Sequence, residues 1–310
     1  MAGDSKIRPR LLLATLLILG ACGDDLGPAL GRPAAMEMLA GDGQQGVVTA
    51  LLPETLLVRV VDPAGEPVGG VRIQWTLDEG GGSIVPVGPT DADGMGRATW
   101  RLGQTAGTYA ATARVSGVPP LTFHATALPG PLTRVAVQPR SFILDAFGDT
   151  VRLAVFAADA FGNAVVPEQV AWRSLDPSVA TVDEAGLVQA VSNGESRIVA
   201  QAAAAADTVT VRVEQRVATL GITPRTDTLR AIGDTLQLQL DPRDRNGHPV
   251  EELEVRWSSL DDEVVEVDGE GRVVARGAGT GRVTASSGSA ADTVVVVVQQ
   301  EVAALEVVPD

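Results

Sequence analysis

The side chains best suited to chemistry are carboxylates in two short acidic clusters. Asp91 and Asp93 flank Ala92 ahead of a glycine, and Asp261, Asp262 and Glu263 are consecutive. Carboxylate oxygens are ligands that Ca²⁺ prefers in proteins, so both clusters are candidate calcium sites. The first cluster also has the composition of a turn in which an Asp side chain accepts hydrogen bonds from nearby backbone amides. The sequence favours turns here and predicts no metal or other cofactor.

The remaining residues show no arrangement that is typical of a catalytic site. The two histidines, His124 and His248, lie in different repeated modules, so no Ser-His-Asp or Cys-His arrangement can be assembled within one domain. The glycine-rich stretch Gly80–Ser83 lacks the lysine and the strand-to-helix context of a phosphate-binding loop. We therefore predict that the chain is not an enzyme.

The single cysteine, Cys22, follows a short apolar stretch near the N-terminus. Leu11–Leu19 is preceded by three cations and would rise only about 14 Å as a helix, too short to span a bilayer core of about 30 Å. A basic segment followed by such a stretch is typical of a secretory signal. Leu19-Gly20-Ala21-Cys22 resembles the lipobox of bacterial lipoproteins, and this resemblance implies that Cys22 becomes a lipidated N-terminus. An ordinary signal peptide with a chance cysteine is the alternative.

The composition indicates an acidic, all-β protein. The formal net charge is −15, and such a surface repels the phosphates of nucleic acids. Hydrophobic residues make up 45% of the chain but aromatic residues only 3%, so its cores must consist mainly of aliphatic side chains. One cysteine allows no internal disulfide. Runs rich in valine, punctuated by Gly, Pro and Asp, predict short strands and turns throughout.

The chain is organised around a short unit that occurs three times. Its pattern is Asp-x-x-Gly-x-x-Val with a tryptophan thirteen residues after the aspartate, and the Asp and Trp residues are Asp62 with Trp75, Asp159 with Trp172, and Asp244 with Trp257. We predict that each aspartate caps its own turn, with a repeated ligand site as the alternative. The three tryptophans are predicted to be core residues.

The fourth tryptophan, Trp100, lies outside this pattern. Alternation with Ala98 and Leu102 places it on the apolar face of a predicted strand. If it were exposed, it would be the best candidate for stacking on a sugar ring, so it is retained as a candidate ligand contact.

Two consecutive segments are copies of each other. Residues 131–215 align with 216–300 without a gap, at 33 identities in 85 positions, and residues 301–310 resemble the opening strand of a further copy. The second acidic cluster corresponds to Asp176-Pro177-Ser178 in the earlier copy, so two of its three acids are absent there. Each copy is predicted to contain about seven short strands with a tryptophan on the third, which describes an immunoglobulin-like sandwich.

Two families of bacterial domain resemble these segments. WRSLDPSVATVDEAGLV and WSSLDDEVVEVDGEGRV are similar to the core segment of group 2 bacterial Ig-like domains. The earlier segment resembles group 1 domains of the invasin and intimin type, through GDGQ, VRVVDPAGEPV, GVRIQWTL, DADG and GQTAGTYAATA. The resemblance implies tandem immunoglobulin-like β-sandwiches, which serve as spacers, adhesins and appendages of enzymes alike.

These observations together predict the organisation of the chain. We expect a lipoprotein signal peptide (1–21), a flexible tether (22–36), a group 1 type domain (37–129), two group 2 type domains (130–215 and 216–299) and the first strand of a truncated repeat (300–310). Short junctions predict a monomeric rod reaching roughly 80–100 Å from the membrane. The localisation that follows is extracytoplasmic, with a lipid anchor in the outer membrane or at the cell surface.

The predicted function is non-enzymatic, in cell-surface adhesion or presentation. The expected partners are the membrane, through the N-terminal lipid, and a protein or glycan ligand whose identity the sequence does not give. Two alternatives remain open: a passive spacer, or a carbohydrate-binding accessory region of a longer protein or enzyme complex.

Overall fold

The computed structural model describes residues 31–301, and within that range the chain forms 26 β-strands and no helix. No helix suited to crossing a membrane occurs in this part of the chain. The predicted signal peptide, the lipobox Leu19-Gly20-Ala21-Cys22, most of the tether and nearly all of the truncated repeat lie outside the described residues.

The chain divides into two compact units. Of the described residues, one unit contains 31–44, Leu51–Arg101 and Thr108–Ala125; the other contains Gln45–Ala50, Leu102–Gly107 and 126–301. The second and third domains therefore lie in a single unit, together with three short segments of the first domain. The predicted domain boundaries remain sequence-based, although the first strand begins at Ala35, inside the predicted tether.

The first domain is a sandwich of two four-stranded sheets, ordered β1-β3-β6-β5 and β2-β8-β7-β4. Alternation explains its burial: Leu56, Val58 and Val60 of β3 all point inward and are fully buried. The strands are β1 (Ala35–Ala40), β2 (Gln44–Val47), β3 (Leu56–Val61), β4 (Gln74–Glu79), β5 (Ser83–Pro86), β6 (Met95–Arg101), β7 (Gly107–Arg114) and β8 (Leu121–Leu128).

The second and third domains share one topology. In each, a four-stranded sheet (β10-β17-β16-β13 or β19-β26-β25-β22) is accompanied by a three-stranded sheet (β11-β15-β14 or β20-β24-β23) and a strand pair (β12-β9 or β18-β21). The second domain contains β9 (Arg134–Gln138), β10 (Ser141–Leu144), β11 (Thr150–Arg152), β12 (Ala154–Ala158), β13 (Ala171–Ser174), β14 (Ala180–Val182), β15 (Leu187–Ala190), β16 (Gly194–Ala202) and β17 (Ala205–Val213). The third contains β18 (Thr219–Thr223), β19 (Thr226–Leu229), β20 (Thr235–Gln237), β21 (Gln239–Arg243), β22 (Arg256–Ser259), β23 (Val265–Val267), β24 (Arg272–Ala275), β25 (Gly279–Ser287) and β26 (Ala290–Val298).

Each copy thus has nine strands where about seven were predicted. The extra strands arise because the chain changes sheets. Strand β9 pairs antiparallel with β12, whereas β10, two residues later, pairs parallel with β17. The stretch Val151–Ala157, which reads as one strand in the sequence, is likewise broken at Leu153, since β11 pairs with β15 and β12 with β9. Alternation of side chains detects strands but does not show where a strand leaves one partner for another.

The repeated tryptophans pack on the cores of the second and third domains without being fully enclosed. Trp172 and Trp257 are partly buried against clusters of Val, Leu, Ile and Ala side chains. A glycine with positive φ covers each ring: a Cβ on Gly186 would lie 2.7 Å from Cζ2 of Trp172, and one on Gly271 would lie 2.6 Å from Cζ2 of Trp257. Glycine permits both the backbone conformation and this close approach.

Trp100 is not available as a ligand contact. Its side chain is fully buried in the first domain, and its ring lies 6.5 Å from that of Tyr109. The alternation with Ala98 and Leu102, both buried as well, therefore describes its position correctly, and the sugar-stacking hypothesis is wrong for this structure. Trp75 is partly buried, with its ring 5.7 Å from Phe123.

Candidate functional site

The repeated aspartate caps its own turn in all three domains, as predicted. In the first domain, Oδ1 of Asp62 accepts hydrogen bonds from the amides of Ala64 (2.8 Å) and Glu66 (3.0 Å). The same pair of bonds recurs in the other domains at 2.8–2.9 Å: Oδ1 of Asp159 accepts from the amides of Phe161 and Asn163, and Oδ1 of Asp244 accepts from the amides of Asn246 and His248. The glycine of each turn has positive φ, between 84° and 90°. One carboxylate oxygen therefore fixes the turn.

The second carboxylate oxygen of Asp159 binds one residue outside the turn and one within it. The residue is 1% exposed, and its Oδ2 accepts hydrogen bonds from the amide of Gly130 and from Nδ2 of Asn163, both at 2.8 Å. Asn163 also donates to the carbonyl of Gln104 and accepts from the amide of Ala106, each at 2.8 Å. The turn of the second domain is thereby joined to the residues that precede it and to the loop Leu102–Gly107.

Asp244 makes an equivalent junction between the second and third domains. It is 2% exposed, and its Oδ2 accepts hydrogen bonds from the amide of Phe147 (3.0 Å) and from Nε2 of Gln215 (2.9 Å). Asn246, in the same turn, donates to the carbonyl of Phe147 at 2.8 Å and to Oδ1 of Asp149 at 2.9 Å. The turn is therefore bound to both the linker and a loop of the preceding domain.

An arginine adds charge to this second junction. Arg245 donates to both carboxylate oxygens of Asp149, with Nε 3.1 Å from Oδ1, and its Nη2 lies 3.3 Å from Oδ1 of Asp145. Burial raises the pKa of Asp149, but the hydrogen bonds from Arg245 and Asn246 outweigh this effect and lower it. Asp149 is therefore ionised at neutral pH, and the contact is a bidentate ion pair.

The carboxylates at the centres of the turns are also held in their charged form. For Asp244, burial raises the pKa, while hydrogen bonds from Gln215 and three backbone amides lower it below the ordinary value. For Asp159 the same opposition holds, and the bonds from Asn163 and from backbone amides lower the pKa to about 2. Buried charges of this kind are stable only where donors surround them, which is what the junctions supply.

Acid should therefore weaken the junction at Asp159. Because the folded pKa of about 2 lies below the ordinary value of 3.8, the unfolded chain binds the proton more readily. The stabilisation is complete above the ordinary pKa, decreases as the pH falls, and is lost as the pH passes about 2. Thermal unfolding of Asp159→Asn across this range should show a flatter pH dependence than the wild type. Asp62→Asn is the matched control. If the thermal unfolding of Asp159→Asn and of the wild type depended on pH with the same slope, the assignment of this stabilisation to Asp159 would be contradicted.

The candidate calcium ligands occupy turns and ion pairs. Oδ1 of Asp91 accepts from the amides of Asp93 (3.1 Å) and Met95 (2.9 Å), and Oδ2 accepts from Arg97 (2.8 Å). The hydrogen bond from Arg97 is the main reason that the pKa of Asp91 is lowered. In residues 31–301, no group of three or more His, Cys, Asp or Glu side chains is arranged to hold a metal ion.

The acids of the second cluster likewise occupy an ion pair and a turn. Asp261 forms an ion pair with Arg282, with Oδ2 2.9 Å from Nε, and this hydrogen bond lowers the pKa of Asp261. Asp262 and Glu263 are exposed in the turn that follows. Each cluster thus pairs its leading aspartate with an arginine, and neither brings its acids together around one point.

The junction residues other than the aspartates were not identified from the sequence. Asn163, Gln215, Arg245 and Asn246 lie in or beside turns and linkers, where polar residues are ordinary. Gly148-Asp149-Thr150 recurs as Gly233-Asp234-Thr235 in the duplicated segment, but only the fold brings Asp149 to the next domain. The one available signal was that the repeated turn kept its aspartate in all three copies.

The fold and the junctions define a protein of tandem immunoglobulin-like domains. The family model for the bacterial Ig-like domain (group 2) matches residues 131–213 and 217–298, more than half of the chain. The chain belongs to this family. No curated protein matches the chain.

Solved structures with similar folds include surface proteins. FdeC, described as a broadly conserved Escherichia coli adhesin, is similar at 18% identity and a TM-score of 0.54, over 87% of this chain and 97% of that one. Invasin, described as a bacterial integrin-binding protein, is similar at 18% identity and a TM-score of 0.45, over 85% of this chain and 58% of that one. At these identities, the likeness to FdeC shows the fold alone.

Proposed function

We propose that the chain is a non-enzymatic, lipid-anchored extracytoplasmic protein whose Ig-like domains present a binding surface at the cell envelope. The observation that carries this proposal is the pair of junctions centred on Asp159 and Asp244. Both place a nearly fully buried, ionised carboxylate where it binds the linker and, directly or through Asn163, the preceding domain. The junction at Asp244 holds the third domain to the second within one compact unit, and fixed joints of this kind suit domains that present a binding surface.

The family and the fold relatives support the same reading. The domains belong to an Ig-like family rather than to a family of enzymes, and FdeC is described as an adhesin. The lipid anchor at Cys22, the group 1 type of the first domain and an adhesive ligand are parts of the proposal that come from the sequence. A passive spacer is the second candidate, because the junction between the second and third domains would serve it equally.

The first experiment concerns the anchor. We expect the native protein, extracted in detergent, to have the mass of a chain beginning at Cys22 with acyl chains attached, and we expect Cys22→Ser to lose the lipid. Proteolysis of intact cells then shows whether the domains face outward. A native protein that retains residues 1–21 without lipid would contradict the anchor.

The second experiment separates presentation of a ligand-binding surface from simple spacing. Cells that carry the wild-type protein are compared with cells that lack it for attachment to host cells and immobilised glycans. Binding by the wild type that soluble Ig-like domains inhibit would support an adhesive surface. Equal attachment by both cell types would contradict adhesion and leave the spacer.

A further inference from the structure

The second domain exposes an apolar strip on the face formed by β12 and the segment that follows its turn. Phe156 is 56% exposed and Val166 is 91% exposed. Two shallow grooves of about 390 Å³ each flank the strip and share Val165 in their linings. Phe156, Val165 and Val166, together with Arg134 and Glu168 in the linings of the grooves, are called the Phe156 face. A contiguous exposed apolar surface of this kind is typical of an interaction site.

The third domain shows that the fold does not require this surface. It is a copy of the second domain, and the aligned residues are acidic where the Phe156 face is apolar. Phe156 corresponds to Asp241 and Val166 to Glu251, and both acids are exposed. The neighbouring Pro167 is replaced by a glutamate as well. One sandwich therefore carries two different surfaces at equivalent positions, and only the second domain has the apolar one.

Two charged side chains beside the strip indicate which kind of partner would bind it. Arg134 lines one groove and Glu168 lines the other, so a cation and an anion lie on either side of Val165. Both side chains are exposed, and neither forms an ion pair or side-chain hydrogen bond with any of residues 31–301. A two-fold axis through the strip would place Arg134 of one chain opposite Glu168 of another. A surface of this kind is complementary to itself.

We propose that the chain forms a two-fold homodimer through the Phe156 face. Burial of Phe156 and Val166 from both copies supplies the hydrophobic driving force, and two reciprocal Arg134–Glu168 pairs fix the orientation. The partner we infer is a second copy, because one chain supplies both charges of the pair. The proposal departs from the sequence-based expectation of a monomer and does not depend on the proposed adhesive role.

The test is sedimentation equilibrium of the full chain in density-matched detergent. The wild type should shift from one copy to two as its concentration rises. Phe156→Asp combined with Val166→Glu installs the residues of the third domain, which this fold already accommodates, and should weaken dimerisation at least about tenfold. Ile143→Thr is the matched control: Ile143 is also 56% exposed, its counterpart is Thr228, and it lies outside the face, so the substitution should leave dimerisation unchanged.

Exchange of the charges tests the two-fold arrangement itself. Arg134→Glu or Glu168→Arg alone should weaken the dimer, since like charges then face each other, whereas the double variant should restore it. A wild type that stays monomeric up to about 100 μM would overturn the proposal, as would a dimer insensitive to the substitutions at Phe156 and Val166. Failure of the double charge exchange to restore dimerisation would overturn the two-fold geometry.

Discussion

Replacing Asp244 by asparagine should loosen the third domain from the second. Asparagine keeps an oxygen that can cap the turn, but its NH₂ group replaces the oxygen that accepts hydrogen bonds from Phe147 and Gln215. Two donors would then face a third donor in a site that is only 2% exposed. The expected loss is about 2–4 kcal/mol, because buried donors left without acceptors are costly. Calorimetry of the full chain should show the third domain melting roughly 10–20 °C lower.

The first domain provides the control for this prediction. Asp62 makes the same two bonds to its own turn, and no hydrogen bond joins its other oxygen to any of residues 31–301. Asp62→Asn should therefore cost less than about 1 kcal/mol. Equal losses for the two variants would show that the junction adds nothing to what the aspartate contributes within its own turn. No loss for Asp244→Asn would exclude the junction as a source of stability.

Replacing Trp100 by alanine should destabilise the first domain by about 3–5 kcal/mol, a large fraction of the unfolding free energy of an ordinary domain. The side chain is fully buried and lies against Tyr109, so alanine would leave a large cavity. The measurement is denaturant unfolding of the full chain, followed by the fluorescence of the remaining tryptophans. A loss below about 1 kcal/mol would contradict the core position.

Two further substitutions separate packing from polarity at this site. Nε1 of Trp100 has no hydrogen-bond partner in the described part of the chain, so Trp100→Phe loses volume without losing a hydrogen bond and should cost less than Trp100→Ala. Trp172→Ala should also cost less, because Trp172 is only partly buried against its core. If Trp172→Ala proved the more damaging, the order of burial would not govern stability here.

The junction at Asp244 gives a physical account of how the second and third domains are held within one compact unit. Asp159 and Asp244 each use one oxygen within the turn and the other at the linker, so the turn and the linker are fixed together. The second junction adds the Arg245–Asp149 pair, and the first relies on Asn163 instead. We therefore expect the second junction to be the more sensitive of the two to salt.

The sequence by itself determined the fold class and much of the local structure. Side-chain alternation identified the strands, the Asp-x-x-Gly pattern identified turns capped by their own aspartate, and the 85-residue offset identified the duplication. These features depend on residues close together in the chain, or on the copying of one segment. For the same reason, alternation with Ala98 and Leu102 placed Trp100 on an apolar face, although it could not tell how deeply the side chain would be buried.

The tertiary structure alone decided how the copies are joined and where their strands change partners. Asp149 and Arg245 lie 96 residues apart, and Phe147 and Asp244 lie 97 apart, so no local pattern relates them. The break at Leu153 likewise depends on which strands lie on either side of it. Sequence periodicity reports the direction in which a side chain points. The partner that it meets depends on the packing of distant segments, and only the folded chain fixes that.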